Sequence, residues 1–173
     1  GANLPGFQNT SLCGNLGPDG GRNPQIEGNY DDLGGNTIST ACDIFVAQDG
    51  SGDYTTIQAA IDAADPPAVI VVAPGTYVEN LNTQGKAVII EGTLDDFGRR
   101  MTVVDGGLTD SVVSCISAET PETVIRNLVL TNGNSTHGSG GIYIWQASPT
   151  IENCAMMVRA AIAISPHLIV IED

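Results

Sequence analysis

Three polar residues in one short turn have the spacing of a calcium-binding loop. Asp49, Ser51 and Asp53 stand at alternate positions, as do the first oxygen ligands of an EF-hand. An EF-hand then needs a glycine directly after the third of these and a glutamate six positions later, but Tyr54 and Ala60 stand there. We therefore interpret the segment as a turn that precedes a helix, with a calcium site as the alternative.

Two aromatic residues have the alternation of a strand with one exposed face. Tyr143 and Trp145 alternate with Ile142 and Ile144. Because successive side chains of a strand point to opposite faces, the aromatic pair faces outward if the isoleucines face the core. Exposed Tyr and Trp rings on a flat sheet stack against sugar rings or contact a partner protein. The pair is therefore a candidate ligand-binding site, and partial burial under the loop at 131–141 is the alternative.

The cysteines favour a disulfide over a metal site. None of them belongs to a Cys-x-x-Cys pair, so a structural zinc site is not expected. Cys13 and Cys42 lie in a segment rich in Gly, Asn and Asp, which has little apolar material and which a disulfide would stabilise. We expect these two to be bonded, which implies an oxidising, extracellular or cell-surface location. Cys115 and Cys154 lie in apolar contexts and are expected to be buried free thiols.

Composition argues against two classes of partner. Twenty acidic residues against six basic ones give a net charge of −14, and Lys86 is the lone lysine. Such a surface repels phosphate backbones and anionic lipids, so nucleic acid is not an expected partner. No apolar run reaches the roughly 18 residues of a membrane-spanning helix, so membrane insertion is not expected either.

The elements that must position these residues are one helix and many short strands. Apolar residues at i, i+3, i+4 and i+7 predict a helix at about 56–64, which Pro66-Pro67 ends. Residues 1–43 are expected to form an irregular arm with one or two short strands. Short β-branched runs separated by Gly and Asn then predict an all-β body, so the main domain is 44–173.

The strand-like runs repeat, and this repetition predicts the architecture. A shift of 20 positions places 162–164 on 142–144, and a shift of 26 positions places 151–154 on 125–128. A period of this length with two or three short strands fits one coil of a parallel β-solenoid. Inward Ile and Val then stack from coil to coil, and Asn residues at the turns form a side-chain ladder.

The stretch most similar to a known family is 44–92, IFVAQDGSGDYTTIQAAIDAADPPAVIVVAPGTYVENLNTQGKAVIIEG. It resembles the opening of right-handed parallel β-helix proteins of the pectin-lyase-like superfamily, which includes pectin methylesterases and many secreted bacterial proteins. The later MTVVDGG and SPTIENC segments resemble its standard coils. The resemblance implies that the helix at 56–64 caps the N-terminal end of the solenoid. Residues 1–43 resemble the segment that closes a preceding β-helix in tandem surface proteins of aquatic bacteria.

The sequence departs from the enzymes of this superfamily in their catalytic motifs. The QDT motif of pectin methylesterases cannot be placed, and no aspartate lies one coil from Arg126, as a pectate-lyase site requires. We therefore expect no catalytic residues and no cofactor, with calcium as the exception left open. The chain is interpreted as a non-catalytic secreted or cell-surface structural or adhesive module. A carbohydrate-active enzyme of the lyase or esterase type is the alternative, and a sugar-binding module that uses Tyr143 and Trp145 is a third.

The expected partners are a second copy of the chain and polysaccharide. Both ends of a parallel solenoid carry unpaired backbone groups, and an apolar strand lies close to the C-terminal end of this sequence. This strand consists of Leu168, Ile169, Val170 and Ile171. We hypothesise that the 1–43 arm of one copy docks on this strand of a neighbour, head to tail, which gives a fibre unless the rotation closes a ring. The alternatives are an arm that folds back on its own coils and a chain truncated at both ends.

Overall fold

The computed structural model describes residues 6–7, 11–13, 31–32, 37–39, 43–135, 139–157, 162–164 and 171–172. The chain divides into two compact units, Gly1–Cys42 and Asp43–Asp173. The described residues contain eighteen strands and one helix, so the expectation of an all-β protein with a single short helix is confirmed. None of the described segments forms a helix that is long and apolar enough to cross a membrane.

The first unit contains two pairs of short parallel strands. Its strands are β1 (Gly6–Phe7), β2 (Ser11–Cys13), β3 (Asp31–Asp32) and β4 (Thr37–Ser39), with β1 on β3 and β2 on β4. One or two strands were expected in this arm, and its described residues form four. The pairing places Leu12 opposite Ile38, a match between distant positions that local β propensity does not reveal. Cys42 lies outside the described residues, so its bond to Cys13 stays a prediction.

The second unit is built from three parallel sheets. The first sheet contains β5 (Asp43–Val46), β6 (Ala68–Val72), β9 (Val88–Gly92), β12 (Val124–Arg126), β15 (Thr150–Glu152) and β18 (Ile171–Glu172). The second contains β7 (Gly75–Val78), β10 (Thr102–Asp105), β13 (Leu128–Thr131) and β16 (Ala155–Met157). The third contains β8 (Leu81–Asn82), β11 (Val113–Cys115), β14 (Ile142–Ile144) and β17 (Ile162–Ile164). From β6 onward the chain visits the three sheets in strict rotation, which is consistent with a β-helix solenoid.

Stacked isoleucines form the core of the first sheet. Ile70, Ile90, Ile125 and Ile151 are in register across four neighbouring strands, and all four are buried. Burial of one such side chain contributes about 1.5–3 kcal/mol. Both repeat shifts are confirmed by the strand registers, because 142–144 pairs with 162–164 and Arg126 pairs with Glu152. The sequence repeats because each coil buries the same residue type against the coil before it.

An asparagine turn separates the first sheet from the second. Asn127 and Asn153 have positive φ angles of 61° and 42°, a left-handed conformation that Asn tolerates better than most residues. The side-chain amide of Asn153 donates to Oδ1 of Asn127 at 2.8 Å, which confirms the expected ladder. Gly92 occupies the same turn one coil earlier, where a Cβ atom would lie 2.4 Å from the carbonyl oxygen of Asn127. The turn thus requires Gly or left-handed Asn in successive coils.

Five strands differ from the sequence-based expectation. The run at 123–130 is two strands, because the left-handed Asn127 turns the chain from one sheet into the next. The segment 155–157 has no β-branched residue and was not expected to be a strand, but it is β16 and pairs with β13. Strands β7 and β8 were not expected. In the proposed docking strand, Leu168, Ile169 and Val170 lie outside the described residues, whereas Ile171 belongs to β18 and pairs with Ile151.

The helix α1 (Ile57–Ala63) is held at both ends by charged side chains from elsewhere. Thr56 is the N-cap, and the carboxylate of Glu79 accepts hydrogen bonds from the backbone N–H groups of Ile57 and Gln58 at 3.0 and 2.9 Å. At the other end, the ammonium group of Lys86 donates to three backbone carbonyls at 2.8–3.0 Å. An anion at the N-terminus and a cation at the C-terminus both complement the helix dipole.

Side chains from the segment around α1 also close the first strand of each sheet. Asp53 accepts from the N–H of Phe45 on β5, and Gln48 donates to the carbonyl of Thr76 on β7. The side-chain amide of Gln58 accepts from the N–H of Asn82 on β8 and donates to its carbonyl, as a neighbouring strand would. Because an open strand edge invites pairing with other chains, these contacts protect this end of all three sheets.

Candidate functional site

The residues of the proposed calcium loop are engaged by the protein itself. Oδ1 of Asp49 accepts from the N–H and the hydroxyl of Ser51 at 2.9 and 2.6 Å, and the hydrogen bond from that hydroxyl lowers the pKa of Asp49. Oδ2 of Asp53 accepts from Phe45 at 2.8 Å. Among the described residues, no group of three or more His, Cys, Asp or Glu side chains could hold a metal ion. The loop therefore serves the strand edge, and calcium binding stays a prediction.

The third sheet presents the predicted aromatic pair on its outward face. Ile142 and Ile144 are fully buried, Tyr143 between them is half-buried, and Trp145 is 48% exposed. The N–H of Trp145 donates to the carbonyl of Cys115 at 3.0 Å, so the ladder continues beyond β14. Tyr143 and Trp145 thus lie on the same side of the strand, as the alternation predicted.

Polar and apolar residues from neighbouring coils complete this surface. The register aligns Asn82 and Ser114 with Tyr143, and the exposed Ile116 stands beside Trp145 in the preceding coil. We call these five residues, Asn82, Ser114, Ile116, Tyr143 and Trp145, the third-sheet face. Within it, ring and alkyl groups offer a stacking platform, and amide and hydroxyl groups offer hydrogen bonds at its side. This chemistry binds and orients a ligand; the face contains no carboxylate or imidazole for proton transfer.

A buried carboxylate, whose role is not visible in the sequence, positions the turns behind this face. Glu119 is 2% exposed, and its carboxylate accepts from the hydroxyl of Thr83 at 2.7 Å and from the N–H groups of Gly85 and Ser117 at 2.9 Å each. Its carbonyl accepts from the N–H of Ser148 at 2.7 Å. Glu119 therefore connects three successive turns between the third and first sheets. In the sequence it stands beside other polar residues and resembles a solvated loop charge.

Arg126, the arginine that the sequence placed on a strand, lies between two carboxylates. Its Nη2 is 2.7 Å from Oε2 of Glu91, and its Nη1 is 4.0 Å from Oε2 of Glu152. The amide of Asn127 also donates to Glu91 at 3.3 Å. The guanidinium charge is thus balanced within the sheet surface. This arrangement stabilises three stacked strands and does not leave Arg126 available as a base.

Cys115 and Cys154 are free thiols, as expected, although Cys154 is only half-buried. Burial raises the pKa of the Cys115 thiol to about 12. We expect Cys115 of the folded protein to react with a thiol reagent at pH 8 on the order of a thousandfold more slowly than an ordinary cysteine, because the thiolate is the reacting species. Mass spectrometry of alkylated peptides from native and urea-unfolded protein checks this. Equal labelling of Cys115 in both states would contradict it.

Comparisons with known proteins give a partial similarity. No protein-family model and no solved structure matches the chain. Two curated proteins of Arabidopsis thaliana match. A putative pectinesterase/pectinesterase inhibitor 38 is 41% identical over 76 residues, which cover 40% of this chain and 16% of that protein. A probable pectinesterase/pectinesterase inhibitor 17 is 36% identical over 93 residues, which cover 50% of this chain and 18% of that protein.

The chain thus spans less than a fifth of the length of the curated relatives that it matches. The similarity agrees with the parallel sheets of the second unit and with the superfamily that the sequence resembles. Over as much as half of its length, the chain is similar to a part of plant pectinesterase/pectinesterase inhibitor proteins.

Proposed function

We propose that residues 43–172 form a right-handed parallel β-helix that acts outside the cell as a polysaccharide-binding module. The observation that carries this proposal is the third-sheet face, where the half-exposed Trp145 and Tyr143 stand beside polar groups of the neighbouring coils. The similarity to proteins named for pectinesterase activity supports a carbohydrate ligand. A flat ring stacks on the apolar face of a pyranose, and amide and hydroxyl groups satisfy its hydroxyls.

The module binds without chemical turnover in this proposal. The carboxylate of Glu119 is buried and occupied by three donors, and Glu91 and Glu152 flank Arg126. A hydrolytic or lyase mechanism needs a base within reach of the substrate, and each of these groups already has partners within the protein. The structural or adhesive role expected from the sequence is then attachment to a polysaccharide matrix.

Head-to-tail assembly is a second proposal, and the structure restricts its geometry. The first strands of all three sheets are closed by Asp53, Gln48 and Gln58. Backbone groups of Phe45, Thr76 and Asn82 at that end are therefore already occupied by side chains of the same chain, which disfavours strand addition there. Assembly by strand addition would use the opposite edges, those of β16, β17 and β18.

The polysaccharide proposal is tested by replacing Trp145. We expect the parent protein to be retarded in native gels that contain pectin, polygalacturonate or a neutral β-glucan, and Trp145→Ala to weaken the binding about tenfold, because a stacking residue dominates such a contact. Phe97→Ala is the control, since Phe97 is exposed on a different loop. Equal weakening by both variants, or no retardation in any polymer, would refute the proposal. Release of methanol or of unsaturated sugars by the pure protein would show an enzyme instead.

A further inference from the structure

The second sheet and its flanking loops carry most of the exposed apolar side chains of the described chain. Among all described residues, nine large hydrophobic side chains are exposed. Six of these nine lie on the second sheet or in the loops that flank β10. These six are Val78, Leu94, Phe97, Met101, Leu108 and Met157. Contiguous exposed apolar surface with a polar border marks an interaction site more often than scattered residues do.

The floor of this surface is a flat row of aliphatic side chains. Val103, Val129 and Ala155 are in register on β10, β13 and β16, and all three are half-buried. Val78 and Met157 lie two positions further along the first and last strands, each 69% exposed. Asp105 and Thr131 stand between Val78 and Met157 in that row. The neighbouring methyl groups, at the roughly 4.8 Å spacing of adjacent strands, are therefore those of Val103, Val129 and Ala155.

Two ordered loops border this floor. On one side, residues 93–101 form a hairpin in which the N–H of Met101 donates to the carbonyl of Thr93 and the N–H of Asp95 to that of Arg99. Nε of Arg100 donates to the carbonyl of Asn153 at 2.5 Å, which fixes the hairpin beside the turns that precede β13 and β16. Phe97, at its tip, is 83% exposed.

The opposite border is the turn at 106–110. The N–H of Leu108 donates to the carbonyl of Asn132 at 2.7 Å, and the amide of Asn134 donates to the carbonyl of Leu108 at 3.2 Å. These bonds attach the turn to the chain that follows β13. Both borders are therefore held by hydrogen bonds before any partner arrives, which lowers the entropy lost on binding.

The charges around the surface select the chemistry of the partner. The hairpin carries Asp95 and Asp96 together with Arg99 and Arg100. Asp105, at the end of β10, and Asp110, on the other border, add two carboxylates. Arg99 is paired with Asp95 at 2.6 Å and lies over the ring of Phe97, whereas Arg100 donates to the carbonyl of Asn153, so the four carboxylates outnumber the two guanidinium groups. A second copy of this chain has a net charge of −14 and would bring like charge to this face, so copies that assemble are expected to meet at the strand edges and not here. The complement of an apolar floor with an excess of carboxylates around it is an apolar segment that carries Lys or Arg.

We propose that the outward face of the second sheet, bordered by residues 93–101 and 106–110, docks a basic amphipathic segment of a partner protein. This surface lies on a different sheet from the third-sheet face, so a polysaccharide and a protein partner have separate places. Phe97 supplies the aromatic anchor, Val103 and Val129 supply the apolar floor, and the aspartates supply the electrostatic attraction.

A short peptide of alternating lysine and leucine is the probe, with a glutamate–leucine peptide of the same length as its charge-reversed counterpart. We expect the basic peptide to bind the full chain with one-to-one stoichiometry in fluorescence anisotropy, and more weakly as salt is raised. The double variant Val103→Thr/Val129→Thr keeps β-branched side chains of the same shape and should weaken binding about tenfold, as should Phe97→Ser. The matched control is Val69→Thr/Val124→Thr, half-buried outward valines of the first sheet.

The outcomes distinguish specific docking from non-specific attraction and from self-association. Equal weakening by the control pair would mean non-specific attraction to an acidic protein and would overturn the proposal. Binding of the acidic peptide with similar affinity, or no binding of either peptide, would also overturn it. A dimer of the parent protein in sedimentation velocity that Val103→Thr/Val129→Thr abolishes would identify a second copy as the occupant and refute a basic partner.

Discussion

Replacing Glu119 by alanine is expected to lower the free energy of unfolding by about 2–3 kcal/mol. The side chain is 2% exposed, and its carboxylate accepts three hydrogen bonds from neutral donors on two neighbouring turns. Removal of the acceptor leaves the buried hydroxyl of Thr83 only its longer contact of 3.3 Å to the carbonyl of Ser114, and it leaves the N–H groups of Gly85 and Ser117, which lie on exposed residues, to water. Each buried donor without a partner costs about 1–3 kcal/mol.

Urea unfolding followed by circular dichroism measures this loss, and a fall of the melting temperature by roughly 10 °C should accompany it. Glu122→Ala is the control, because Glu122 is exposed and bonds only to the neighbouring Thr120. Glu119→Gln should lie between the two, since an amide keeps one accepting oxygen and turns its NH₂ group towards a donor. If Glu119→Ala loses no more stability than Glu122→Ala, the buried carboxylate does not hold the turns together.

The coil repeat could be predicted from the sequence because stacking imposes the same residue type at the same place in each coil. The shift of 26 positions found the pairing of Arg126 with Glu152, and the shift of 20 found that of Ile151 with Ile171. The asparagine ladder followed from the same alignment. Periodic burial leaves a periodic sequence, and this part of the fold is therefore visible without coordinates.

The strands that were missed lack a local signal. β8 has only two residues, and β16 is Ala-Met-Met, which has low β propensity. Both form because a neighbouring coil offers paired backbone groups. The opposite error occurred at Asn127, where strand-like residues on both sides hid a left-handed residue between two strands.

The candidate site shows the same division between local and long-range information. Strand alternation alone placed Tyr143 and Trp145 on one outward surface. The function of Gln58 as a substitute strand depends on a contact 24 residues away, and that of Glu119 on contacts more than 30 residues away. Such partners come together only through the coil geometry. A single sequence gives their residue types and not their neighbours.

The end of the stack that carries α1 explains how an open parallel sheet stays unpaired on that side. A helix of seven residues is too short to be stable alone, so it depends on contacts with the coils. Lys86 and Glu79 lie in the turns around β8 and hold opposite ends of the helix. Gln58, on the helix, in turn covers the backbone of Asn82. A change that detaches the helix is therefore expected to expose the edge of the third sheet as well.

The double variant Glu79→Ala/Lys86→Met is consequently expected to lose about 3–4 kcal/mol of unfolding free energy and to associate. It removes five hydrogen bonds at 2.8–3.0 Å between charged groups and the helix backbone, and hydrogen bonds to charged groups contribute about 1.5–3 kcal/mol each before non-additivity. Once α1 detaches, Gln58 no longer covers Asn82, and the edge of the third sheet can pair with another chain.

Urea unfolding gives the stability, and sedimentation velocity over a range of protein concentrations gives the association. Arg99→Met is the matched control, because it removes an exposed cation at a site remote from the helix. Triple replacement with Gln58→Ala should not add much further association, since the amide is already displaced when the helix has left. A double variant that is destabilised but stays monomeric would show that Gln58 does not protect the edge. An unchanged stability would show that the charged contacts do not hold the helix.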